Sequence, residues 1–157
     1  MADAPNIETI RKPLMRRYLV TLTPAAVLLA AWAACRQAGL VRPLGAEYTT
    51  VIGPAVFIAA IILAVALPLL YRVLFVKSVE GRPGVSAETF LPFQCNLMSL
   101  ALLASYAATA GYMAGVANFH FGGAFLAGLY GAYYYFPSRR RVAQELRLFR
   151  VDREGAR

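Results

Sequence analysis

TFLPFQCNLMSLALLASYAATAGYMAGVANFHFGGAFLAGLYGAYYYFPS, from Thr89 to Ser138, runs for fifty residues without one Asp, Glu, Lys or Arg. A chain of 157 residues cannot enclose so long an uncharged stretch in a water-soluble core. A membrane-crossing helix needs about 20 mostly apolar residues, so the stretch holds two. The few residues between them make the two helices antiparallel neighbours, with Asn118 as a turn or N-cap residue.

Two shorter uncharged runs precede it, Tyr18 to Cys35 and Tyr48 to Tyr71. Overall 59% of the residues are hydrophobic and 15% charged, against about 25% charged in a soluble domain. The sequence therefore predicts an all-α, polytopic integral membrane protein forming a single membrane domain over residues 1–157. Four transmembrane helices are expected at about 18–35, 48–71, 91–116 and 119–136, with short connections and a basic tail at 137–157. Pro54 and Pro68 predict kinks near both ends of the second span. Pro92 suits the first turn of the third. Eighteen residues in the fourth span roughly 27 Å, just enough for the hydrocarbon core.

The first run also has the outline of a cleavable signal: a basic start, Ala31-Trp32-Ala33, a twin-arginine-like Arg16-Arg17-Tyr18-Leu19, and Cys35 at its end. Trp32 fits poorly three positions before such a cysteine, and 18 apolar residues are long for a signal. The run is read as a retained span.

The net charge is +8, but the basic residues flank apolar runs. Such a distribution meets anionic lipid headgroups rather than nucleic acid. The candidate headgroup contacts are Arg16, Arg17, Arg139, Arg140, Arg141 and Arg147. With both termini cytoplasmic, fourteen of the sixteen Lys and Arg residues lie inside, and only Arg36 and Arg42 lie outside. The positive-inside rule selects that orientation. A bacterial inner membrane is the expected location, given the compact build and the lack of eukaryotic targeting marks. After Ser138, a potential cap, Val142, Leu146 and Phe149 recur at helical spacing among arginines, which predicts a helix lying on the anionic leaflet.

Small residues mark the faces where membrane helices approach closely. Ala101, Ala104, Ala108, Gly111 and Gly115 form one stripe on span three. His120, Ala124, Ala127 and Gly131 form another on span four. They predict helix packing within the chain, with an interface to another subunit as the alternative. His120, the chain's one histidine, lies along that face near the outer surface and is the weak candidate for a cofactor contact. No carboxylate lies in any span to form a relay with it, and a metal site wants three or four ligands. Gln94 and Asn96 fall at the inner interface, as interhelical ties or solute contacts. Cys35 and Cys95 fall at opposite ends of the bundle, too far apart for a disulfide.

No nucleophile elbow, phosphate loop, zinc-protease helix or carboxylate pair is present. The expected function is that of a small non-catalytic accessory or structural subunit, without a cofactor. It would pack against itself or other membrane subunits and contact anionic lipid. The first alternative is small-solute transport along Gln94, Asn96, Ser99, Ser105, Thr109, Asn118 and His120. The second is an electron-transfer subunit using His120.

Overall fold

The computed structural model describes residues 7–42, 46–81 and 84–152. It is all-helical in class. The helices are α1 (Ile7–Gln37), α2 (Ala46–Ile61), α3 (Leu67–Val79), α4 (Ala87–Ala114), α5 (Asn118–Tyr134) and α6 (Arg139–Leu148). A π-helical turn, Ile62–Ala66, joins α2 to α3 as one continuous rod. Among the described residues three rods are long and apolar enough to cross a membrane: α1 with 31 residues, Tyr48–Val79 with 32, and α4 with 28. At ~1.5 Å per residue they reach roughly 42–48 Å, well beyond a ~30 Å hydrocarbon core. α5 has 17 residues and reaches only about 26 Å.

The rods start and stop elsewhere than the hydropathy suggests. α1 begins at Ile7 rather than Tyr18 and runs through Pro13 and Pro24. Its extra turns form because Ile10, Leu14 and Tyr18 share one face and bury it in an apolar cluster with α4 and α6. α4 begins at Ala87, because Ser86 caps it, its hydroxyl accepting from the Thr89 N–H at 3.3 Å. Pro92 is thus an interior residue, not a first-turn one. α4 ends at Ala114, where Gly115 turns left-handed with φ 75°. α5 starts at Asn118, with Ala117 rather than Asn118 in the capping position.

The π turn explains how the second rod absorbs Pro68. Proline has no N–H, and its ring crowds the carbonyl four residues back, here Ala64. The Leu67 N–H bonds the Ile62 carbonyl, five residues back. Widening this turn relieves the crowding without breaking the rod.

α4 is the central helix, with α1, α2 and α5 packed around it. Ala60 of α2, Ala108 of α4 and Ala124 of α5 meet in a small buried cluster. A larger apolar core lies at one end, where the long rods overrun the bundle. Ile10, Leu14, Phe90, Met98, Leu102, Val142 and Leu146 are buried there together. Phe75 and Phe93 stack with ring centres 3.7 Å apart, and Phe149 meets both edge-on. Arg150 turns left-handed (φ 44°). The chain then doubles back so that β2 (Val151–Asp152) pairs in parallel with β1 (Val85–Ser86).

This terminal cap corrects the expectation for the tail. α6 forms where expected, with Ser138 accepting from the Arg141 N–H at 3.2 Å. Its apolar face is not spread on lipid. Val142 and Leu146 are buried against α1 and α4, because those helices extend far enough to cover them.

Candidate functional site

Several polar and charged side chains of the rods meet at the cap. Arg72 of α3 makes a two-pronged ion pair with Glu145 of α6, at 3.0 and 3.2 Å. Gln94 of α4 donates to the same carboxylate at 3.3 Å. Arg139 pairs with Glu8 at 2.8 Å, Arg11 donates to the Pro137 carbonyl at 3.3 Å, and the Tyr18 hydroxyl donates to the Ala132 carbonyl at 3.0 Å. Each of these bonds ties the start of α1 or the α6 helix to the bundle.

Of the expected headgroup contacts, Arg16, Arg140 and Arg147 are exposed. Arg17 donates to Ser99 at 3.1 Å, and Arg139 is held by Glu8. Arg141 is half-buried over the rings of Tyr134 and Tyr135, 4.6 and 4.8 Å from their centres. Burial lowers its pKa from the ordinary guanidinium value, and Glu145 is the largest influence in the opposite direction.

The small-residue stripes lie at close approaches of the backbones. Ala101, Ala104, Ala108 and Gly111 are buried on α4, and Ala124 and Gly131 on α5. Ala127 packs beside them. A methyl group on Gly131 would lie 2.8 Å from the Ala101 carbonyl oxygen. Gly111 does not face α5: its open side receives Val56 of α2. Gly115 is a correction, since it terminates α4 and its left-handed conformation is its role there.

His120 is likewise turned toward α2. Its Nδ1 would stand 2.8 Å from a methyl group on Gly53, and the Phe119 ring meets it edge-on at 5.5 Å. Nδ1 is buried without a hydrogen-bond partner. Among the described residues no group of three or more His, Cys, Asp and Glu side chains comes together. Cys35 and Cys95 are free thiols.

The polar residues named for a solute path diverge. Gln94 faces α6, and Asn96 donates to the Tyr71 hydroxyl at 3.4 Å. Ser99 faces α1. Thr109 donates to the Ala25 and Ser105 carbonyls at 3.3 and 2.9 Å, and His120 faces α2. Sequence reasoning missed the part played by α2. Gly53, Ala60 and Ala64 recur at spacings of seven and four, a small-residue face of the same kind as those on α4 and α5. The Ser86 cap before Ala-Glu-Thr was also readable as a helix start.

No protein-family profile matches the chain, and neither a curated protein nor a solved structure resembles it closely enough to lend it a family.

Proposed function

We propose that the chain is a non-catalytic accessory subunit of a bacterial inner membrane. It crosses four times, with α5 as the fourth and shortest span and both termini in the cytoplasm. It packs against a second copy or a larger membrane complex, and its basic cap meets anionic headgroups. The observation that carries this reading is the use made of the polar side chains. Gln94 bonds α6, Asn96 bonds α3, and Ser99 and Thr109 bond α1 at separate points, Arg17 and Ala25, so they act as interhelical ties rather than as a common path. Such ties are what polar groups in membrane bundles ordinarily provide. A subunit whose task is shape needs them, whereas a transporter needs them to converge.

Native mass spectrometry of gently solubilised membranes tests the proposal. The expected result is a stoichiometric assembly larger than one chain. A lone chain that carries a solute across reconstituted vesicles would overturn it. The electron-transfer reading has one observation in its favour, the unbonded Nδ1 of His120. A visible absorption band of the purified protein that disappears in His120→Ala would establish it.

A further inference from the structure

α1 and α5 both pack on α4 but draw apart from each other beyond Tyr18 and Ala132. A groove of about 410 Å³ runs between them. Its walls are nearly all apolar, with Ala25, Ala26 and Ala30 on one side, Phe125 and Leu129 on the other, and Ala108 in the floor. From Leu22 to Ala33 it extends roughly 17 Å at the helical rise. Half of a ~30 Å hydrocarbon core is about 15 Å, so the groove has the length of one leaflet's acyl chain.

Ala132 also borders a second open cavity, of about 580 Å³, lined by Tyr18, Tyr133, Tyr134, Ser138 and Arg141. The two cavities therefore adjoin, one almost wholly apolar and the other bordered by the Ser138 hydroxyl and the Arg141 guanidinium. Glu145 is already engaged by Arg72 and Gln94. Among the described residues Arg141 enters no ion pair, and its guanidinium, with five N–H donors, makes no hydrogen bond. Arg141 is half-buried and feels the Glu145 charge without bonding to it, so an anionic ligand in direct contact would offset the desolvation cost that remains. Ser138 accepts from the Arg141 backbone and keeps its own hydroxyl hydrogen to donate.

We propose that these adjoining cavities bind one anionic phospholipid, its phosphate on Arg141 and one acyl chain in the groove between α1 and α5. The proposal rests on the membrane reading above but needs no partner subunit. It differs from diffuse headgroup attraction in naming one cation and one groove.

The test uses the full chain in nanodiscs of phosphatidylcholine and phosphatidylglycerol. These are extracted into mild detergent and weighed by native mass spectrometry. The wild type is expected to keep one phosphatidylglycerol per chain in preference to phosphatidylcholine, and millimolar inorganic phosphate is expected not to displace it. Loss of a charge-assisted bond is worth about tenfold, so Arg141→Gln should cut retention by about that factor. Ala26→Phe, which fills the groove, should do the same, and Lys12→Gln, an exposed cation of α1 outside both cavities, should leave retention unchanged. Arg141→Lys should keep part of it, which separates lost charge from lost fold. Indifference to headgroup in the wild type would overturn the proposal without recourse to any variant. So would equal retention in Arg141→Gln, or an equal loss in Lys12→Gln. Displacement by inorganic phosphate would mark a free-anion site instead. A chain soluble without detergent would sink the membrane reading as well, whereas a monomeric membrane protein that retains the lipid would sink only the accessory-subunit reading.

Discussion

Three glycines of the bundle look alike in sequence and differ in what a methyl group would meet. At Gly131 it would lie 2.8 Å from the Ala101 carbonyl oxygen, which is backbone of α4. At Gly53 it would meet the His120 ring at 2.8 Å, a side chain able to turn. At Gly122 it would meet nothing within 4 Å. Overpacking a tight contact costs about 1–3 kcal/mol, while alanine gains up to about 1 kcal/mol over glycine in a helix. Thermal unfolding in detergent should therefore rank the three. Gly131→Ala lowers the midpoint most, Gly53→Ala lowers it less, and Gly122→Ala leaves it level or raises it. Adding His120→Ala to Gly53→Ala should recover the loss, since the three nearest atoms to the added methyl all belong to that ring. Recovery of Gly131→Ala by the same change would show that the two contacts had been wrongly assigned.

At the scale of elements, periodicity shows which face of a helix is apolar but not which neighbour covers it. That is why α6 was legible as a helix, with its cap and its Val142–Leu146 face, yet its resting place was not. The sequence pattern fits a lipid surface as well as it fits α1 and α4. The same limit applies to His120 and Gly111, whose stripes pointed to α4 and α5 while α2 was the partner. The extent of α1 was hidden because Pro13 and two basic pairs interrupt the Ile10–Leu14–Tyr18 face. Arg72 and Glu145, bonded across the cap, are 73 positions apart in the chain, and no local pattern links them.

That pair supplies a test of the cap. Its side chains are 28% and 11% exposed. The 3–5 kcal/mol cost of breaking a fully buried pair is therefore discounted to about 1–3 kcal/mol. Glu145→Ala strands the Arg72 charge and should open α6 on the order of tenfold more often, read as faster tryptic cutting at Arg139–Arg141. The double variant Arg72→Met, Glu145→Leu removes both charges and should restore resistance. If both variants are cut at the wild-type rate, the ion pair does not hold α6.

The whole molecule has two unlike ends. At one end Arg11, Arg72, Arg139 and Arg141 converge on the cap through bonds to Pro137, Glu145, Glu8 and the tyrosine rings. At the other, Arg36 lies over the Tyr112 ring, 5.4 Å from its centre, where α4 gives way to α5. The positive-inside rule counts basic residues near the ends of spans, and it acts on the K/R bias rather than on net charge. Pairing Arg72 with Glu145 therefore does not weaken the prediction that the cap faces the cytoplasm. The cap accounts for the unequal lengths of the rods, since the three long helices run on past the bundle where they have a cap to support. α5, with no such task, stops at Tyr134, at the level of an aromatic belt. Two exposed positions, Gln37 at the end of α1 and Gln144 on α6, can each be changed to cysteine in a chain lacking Cys35 and Cys95. A membrane-impermeant maleimide added to intact spheroplasts should label Gln37→Cys and leave Gln144→Cys untouched until the membrane is opened. The reverse pattern would place the cap outside. Labelling of both in sealed cells would mean an even number of crossings between them, leaving α5 within one leaflet rather than across the bilayer.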